Sequence, residues 1–352
     1  MDTTAIPGAP VSPVWGRLAR RALAVLLLAL VYVCGQPDLD GPWIQGDEHR
    51  FIVNSPDVTG AGRAEPRLVR WAGIFTHYHD DLYQPVPVLT YAIEWDLWGD
   101  QRVFFMRQTD VILHALNALL LWGVLRKLLQ VFGRAGESPA VMVLTWALAL
   151  LWALHPIQVS AYAADMGRTH LLSAGLALLS LRCQIAAFER RRPAWTVAAL
   201  LLLTLAMMAK PVVGWVALVF LLAWHYRGWR AAWLSPAVWL TGVLGVVFAA
   251  ITLLATRQAD MLTEFDELLF GDRVSRSLHA TWLYATNLLW PAWLSTWYPP
   301  DPRSVWSHPT VWTGLLVVLI SLAALAWSLR RPQRRGYTFG LTWFWVLLLP
   351  VI

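Results

Sequence analysis

Asp47 and Glu48 stand in the segment GDEHRFIVNSPDV, between two apolar runs. An ionised carboxylate in such a loop can take a proton from an acceptor hydroxyl while a sugar or similar group is transferred to it. Adjacent side chains point apart on a helix or a strand, so one acid of the pair at most would face a substrate. Solvated loop acids are also common, and spacing alone leaves both uses open. Further on, His77, His79, Asp80 and Asp81 put imidazole and carboxylate groups within five positions. Such groups could take a divalent cation, the one cofactor these residue types suggest, and the sequence does not require it. They equally suit a polar loop rim, because no distant Cys or His completes a recognisable site. His114 and Asn117 share a helix face with Asp110 one turn earlier. Polar groups at lipid depth ask for a reason, either a site or a hydrogen-bonded helix contact. His155-Pro156 and Lys210-Pro211 each put a polar residue at a helix end, where capping and snorkelling also explain it. Arg168, Lys210, Arg257 and Arg273 are cations that could hold a lipid phosphate.

The elements that must position these residues are membrane-spanning helices. The 352 residues are 57% hydrophobic and 14% charged, and the mean hydropathy is +0.49. That composition predicts an all-α polytopic transmembrane bundle embedded in a lipid bilayer. The net charge of +6 is no nucleic-acid signature, because the arginines gather in short clusters between apolar runs. Lys occurs only at Lys127 and Lys210, and with the abundant Ala, Leu and Trp this suggests a GC-rich bacterial genome. Cys34 and Cys183 suggest neither a disulfide framework nor a metal site.

Residues 1–16 read as a cytoplasmic tail and Ala22–Val33 as a retained first helix behind Arg17, Arg20 and Arg21. Residues 35–84 read as the first extracytoplasmic loop and 86–99 as an amphipathic interfacial helix carrying Glu94 and Asp96. Further helices are expected over 104–125, 141–154, 171–188, 194–209, 212–226, 236–255 and 310–329. Asp165, Arg168 and His170 fall in the short outer loop between the helices 141–154 and 171–188. Residues 256–300 read as a second large extracytoplasmic or interfacial region, in which 278–297 is re-entrant or interfacial because Arg330, Arg331, Arg334 and Arg335 should lie in the cytoplasm. A last apolar segment begins at Tyr337.

The order of these segments resembles the GT-C membrane glycosyltransferases, in the tetratricopeptide-linked branch that includes protein O-mannosyltransferases. GDEHRFIVNSPDV is similar to that branch's first outer loop, with Asp47-Glu48 at its acidic pair. Tyr83-Gln84-Pro85-Val86 stands where the branch has a Tyr-Arg-Pro-Leu-like motif, so its Arg is replaced. LHALNALLLWGVL resembles the second helix, with His114 and Asn117. ALHPIQVSAYAADMGRTHLLSAGLALLSL resembles the His-Pro motif and the Gly-Arg-x-Asp-Leu-Leu turn, with His170 where an acid is usual. Downstream segments keep the family order, so residues 17–352 read as a GT-C-like domain. The family continues into further spans and repeats, so a truncated version of a longer architecture is expected.

The resemblance implies an inverting transfer from a polyprenyl-phosphate-linked sugar donor to a protein or glycan acceptor, on the outer face of a bacterial inner membrane. Asp47 is the implied catalytic acid, with Glu48 second. Arg168, Lys210, Arg257 and Arg273 would bind donor phosphate. His79, Asp80, Asp81, Tyr83, His114, Asn117 and His155 would line the substrate site. The replaced Arg also leaves open a non-catalytic lipid-binding subunit, or a carrier, of the same fold. The topology has a direct test. Single cysteines placed in residues 35–84, 155–170 and 256–276, in a chain lacking Cys34 and Cys183, are expected to react with an impermeant maleimide added from outside. Protection of all three loops rejects the topology.

Overall fold

The computed structural model describes residues 13–36, 49–79, 82–133, 138–163, 167–211, 214–258, 269–292, 294–295 and 303–348. Asp47, Glu48, Asp80, Asp81 and Asp165, and most of the 1–16 segment, lie outside them. The described chain is α-helical, and its one β feature is an antiparallel bridge between His79 and Leu82. The helices are α1 (Pro13–Cys34), α2 (Pro56–Thr59), α3 (Arg67–Gly73), α4 (Pro85–Trp98) and α5 (Arg102–Phe132). There follow α6 (Pro139–Leu154), α7 (Val159–Ala163), α8 (Gly167–Arg190), α9 (Pro193–Ala209), α10 (Trp215–Arg227) and α11 (Trp229–Trp233). The last four are α12 (Pro236–Gln258), α13 (Phe270–Leu289), α14 (Pro309–Leu329) and α15 (Arg335–Leu348).

Among the described residues, four helices, α5, α8, α12 and α14, are long and apolar enough to cross a membrane. A fifth span results if α6 and Pro156–Ala163, bent by 55°, count together. The bend falls at His155-Pro156, where a proline cannot continue the hydrogen-bond ladder. The lateral surface suits lipid: Val246 on α12 is 71% exposed and Ile320 on α14 is 59% exposed. Apolar patches of that kind would be a liability in water. Inside, Leu181, Ile185, Met207, Leu218 and Leu222 knit α8, α9 and α10 together. Leu27, Ala118 and Ala149 close α1 onto α5 and α6. The turn from α8 to α9 is only Arg191-Arg192 long, and Arg191 takes a φ of 53°, which lets the chain reverse so tightly.

The segment between α1 and α5 forms a small subdomain with its own core of Ile52, Val58, Ile74, Val88, Tyr91, Ala92 and Met106. Tyr91 and Ala92 come from α4 and Met106 from α5, so this core joins the loop to the bundle. Residues 86–99, expected as an amphipathic interfacial helix carrying Glu94 and Asp96, form most of α4. Glu94 and Asp96 both point into protein and form ion pairs with Arg168 and Arg70. The helix is therefore a wedge rather than a surface helix.

Two further expectations change. Arg168 and His170, placed by sequence in a loop, belong to the first turn of α8, which starts at Gly167. The helix expected over 278–297 starts earlier, at Phe270, and stops at Leu289. It carries Asp272, Arg273 and Arg276 and is not among the helices apolar enough to cross. It packs along α14, and Gly314 makes the close approach possible, since a methyl group there would meet the Leu278 carbonyl oxygen. Gly314→Val is expected to cost about 1–3 kcal/mol through overpacking against backbone that cannot move aside. Thermal unfolding in detergent checks this; an unchanged midpoint would mean that the two helices are not in contact there.

Candidate functional site

The first two turns of α8 are the meeting point of the polar side chains. Arg168 has no exposed surface. Its Nε donates to Asp110 Oδ1 at 2.6 Å, its Nη1 to Glu94 Oε2 at 2.7 Å, and its Nη2 to the Met106 carbonyl at 2.6 Å. The guanidinium lies 4.2 Å from the centre of the Tyr91 ring. Glu94 Oε1 accepts a further hydrogen bond from Thr109 at 2.7 Å. A planar fork of five donors suits such a cluster; a lysine could not reproduce it. On the opposite side of the same turn, Lys210 donates from Nζ to His170 Nε2 at 2.8 Å. An ammonium can only donate, so His170 Nε2 is the unprotonated nitrogen. Asn117 Nδ2 donates to the Leu171 carbonyl at 2.8 Å, and Ser173 Oγ to the Lys210 carbonyl at 3.2 Å.

A second cluster sits in the loop subdomain. The sequence Ser55-Pro56-Asp57-Val58-Thr59-Gly60 makes a one-turn helix: Pro56 is in its first position and Gly60 caps its end at φ 72°. The turn presents Asp57, whose Oδ2 lies 2.8 Å from His77 Nε2 and 3.1 Å from His79 Nδ1. Its Oδ1 pairs with Arg63. Burial pushes the Asp57 carboxyl up, but the hydrogen bonds and charge of His79 and His77 outweigh it and hold the group well below the usual carboxylate range. Nearby, Arg70 and Asp96 pair almost out of solvent, with side-chain exposures of 7% and 11%, tying α3 to α4.

No family model matches the chain, and no solved structure does. Three relatives are protein O-mannosyl-transferases by name. The chain is 32% identical to protein O-mannosyl-transferase TMTC1 of Homo sapiens over 173 residues, 46% of this chain and 18% of that protein. Against TMTC1 of Mus musculus the identity is 30% over 166 residues, covering 45% and 16%. Against protein O-mannosyl-transferase TMTC4 of Homo sapiens it is 25% over 190 residues, covering 52% and 25%. The matched part thus spans a quarter or less of each relative's length.

The expected site residues distribute unevenly over this geometry. The catalytic pair Asp47 and Glu48, with Asp80 and Asp81, lies outside the described residues. Arg168 drops out as a phosphate ligand, because it is fully buried and its fork is committed to Glu94, Asp110 and Met106. Lys210 stays half-buried beside His170, while Arg257 and Arg273 are exposed on α12 and α13. His155 uses both ring nitrogens on backbone, Nε2 toward the Leu288 carbonyl at 3.0 Å and Nδ1 toward Ile157 N at 3.2 Å. His114 donates from Nε2 to the Ala153 carbonyl at 2.9 Å, between the rings of Trp152 and Tyr162. His114 and Asn117 therefore tie helices together, the alternative that their spacing left open, and His155 caps the turn that follows it. Tyr83 donates to the Phe75 carbonyl at 3.1 Å and packs on the bundle core.

Sequence reasoning did not pick out Asp57, Glu94 or Tyr91 as site residues. The one-turn helix signature around Asp57 was available; the pairing of Glu94 with a residue 74 positions on was not. Removing the central cation strands two buried carboxylates. Arg168→Met is expected to destabilise the fold by about 3–5 kcal/mol, the cost of breaking a buried pair from one side. Adding Glu94→Gln and Asp110→Asn to that variant should restore part of the loss. Thermal unfolding of the single and triple variants decides it: equal midpoints for both would show that the carboxylates are not stabilised by Arg168.

Proposed function

We propose that the chain is the membrane-embedded part of a glycosyltransferase that moves a sugar from a polyprenyl-phosphate donor to a hydroxyl of a protein or glycan acceptor. The observation that carries this reading is a local one. The chain matches protein O-mannosyl-transferases over about half its length, and it has the multi-span helical bundle that a lipid-borne donor needs. The docking of the loop subdomain supports it. Ile52, which closely follows Asp47-Glu48 in sequence, is buried in the core that α4 and α5 share with the loop.

In this reading the acceptor oxygen attacks the sugar's anomeric carbon as the bond to the phosphate oxygen breaks. Asp47, with Glu48 second, takes the acceptor proton, and the polyprenyl phosphate leaves with the bonding pair. The configuration inverts. Lys210, with Arg257 and Arg273, would balance the leaving phosphate, while Arg168 only positions the frame. The non-catalytic reading also has an observation in its favour. The position where the resembled family has an arginine is Gln84, which is 5% exposed and carries no charge.

The test is transfer from a polyprenyl-phosphate mannose to peptide acceptors by the chain in membranes. Asp47→Asn is expected to lower the rate by about 10²–10⁴-fold, the usual contribution of a positioned base. Glu48→Gln should lower it less. Normal transfer by both variants would remove this loop from the chemistry. No transfer by the native chain, with any polyprenyl-phosphate sugar, would favour the lipid-binding subunit.

A further inference from the structure

Asp57, His77 and His79 come from three different local structures: the single turn α2, the end of the 3₁₀ turn Ile74–Thr76, and the bridge that His79 forms with Leu82. One oxygen, Asp57 Oδ2, is approached by a ring nitrogen from each histidine, and the three atoms lie within 4.8 Å of one another. Two bonds of about 2.0–2.2 Å to nitrogen and oxygen span about 4.4 Å at most, so a single ion would hold these atoms after drawing the widest pair together by a few tenths of an ångström.

The hydrogen-bond inventory of His79 points the same way. Its Nε2 lies 2.9 Å from the Ile74 carbonyl oxygen. A carbonyl only accepts, so Nε2 carries a proton, and Nδ1 is the nitrogen turned toward Asp57. Nδ1 lies 3.1 Å from Asp57 Oδ2. Either a proton or a metal cation can sit between these two atoms, the first making the ring an imidazolium and the second leaving it neutral. A ring fixed through its far N–H by a backbone carbonyl is also how proteins orient a metal-binding histidine. Arg63 holds the other carboxylate oxygen and is itself braced by Glu65 at 3.1 Å. Asp57 therefore turns one oxygen toward the histidines and keeps the other in a supporting pair. The His77 side chain is 42% exposed, whereas those of His79 and Asp57 are 5% and 9% exposed, so an ion would enter past His77.

We propose that Asp57, His77 and His79 form a binding site for one first-row divalent cation of the zinc type, with its remaining coordination open to water or an anionic oxygen. Two imidazoles and one carboxylate suit zinc, cobalt or iron, and are poor partners for magnesium or calcium. The site goes beyond the glycosyl-transfer reading and does not depend on it, because binding is measured without donor or acceptor. The other account of the cluster is a metal-free imidazolium–carboxylate group.

The experiment titrates the full chain, purified in detergent and stripped with a chelator, with Zn²⁺ alone by calorimetry. Binding of Co²⁺ is followed in parallel by its visible absorption. One equivalent of Zn²⁺ is expected, undisturbed by excess Mg²⁺, with a cobalt spectrum of mixed nitrogen and oxygen ligation. His77→Ala changes a half-exposed side chain and should leave the helical circular dichroism intact. It is expected to weaken Zn²⁺ binding by at least about 100-fold, the upper range for supporting residues around a metal, which a direct ligand should exceed. His79→Gln should do the same. The proposal is overturned by no stoichiometric Zn²⁺ binding, by affinity unchanged in both variants, or by displacement of Zn²⁺ with Mg²⁺.

Discussion

A guanidinium without solvent must find its counter-charges inside the protein, and the architecture depends on how Arg168 does so. Its partners, Glu94 and Asp110, lie 74 and 58 positions earlier in the chain. One side chain therefore locks the start of α8 to the end of α4 and the N-terminal part of α5. Burying a cation costs several kcal/mol even after relaxation, and only close, hydrogen-bonded carboxylates offset it. Here the pairing is complete, with a backbone carbonyl and the face of Tyr91 occupying the remaining sides. Two carboxylates surround one guanidinium, and Thr109 shares the load on Glu94. An apolar contact of the same size could slide; this one specifies a single register between loop and bundle.

That register carries the loop subdomain with it. Tyr91, which faces Arg168, is also part of the core with Ile52, Val58 and Ile74. The Arg70–Asp96 pair repeats the same device one layer out. Asp57, His77 and His79 thus rest on a base that is fixed by packing beneath and by charge at the side. Gly60 adds a local requirement: at φ 72° it leaves room for the Arg70 guanidinium, and a side chain there would collide with it. Positions that look like an irregular loop in the sequence are, physically, a small packed unit.

Much of the bundle was legible because lipid imposes a simple grammar. The expected helix over 310–329 is observed as Pro309–Leu329, and the stop at His155-Pro156 falls where the proline forbids continuation. The 31 residues of α5 run further than the apolar stretch alone suggested, because Lys127 finds Glu189 at 2.8 Å and need not end the helix. The polar interior was harder to read. Arg168 looks like a loop cation beside Gly167 and Thr169, and only its distant acids explain a burial that composition argues against. Glu94 and Asp96 alternate with apolar residues as on a surface helix, yet both acids face cations that the sequence places elsewhere. Asp57 was hidden for the reverse reason: its neighbours are local, 20 and 22 residues on, but a turn of four residues had to form before it could aim at them.

The chain order of the buried triad has a consequence for how the protein is made. Ribosomal synthesis proceeds from the N-terminus, so Glu94 and Asp110 emerge before Arg168 exists. Helix α5 enters the bilayer carrying an acid with no counter-ion, a burden of up to about 2.5–3.5 kcal/mol for a charge at the centre of an inserted helix. The acid must wait, protonated or in contact with water, until α8 is threaded through the membrane in turn. Docking of the early loop is thereby made contingent on a later helix, and a nascent chain halted before residue 168 has its first third translated but not yet closed.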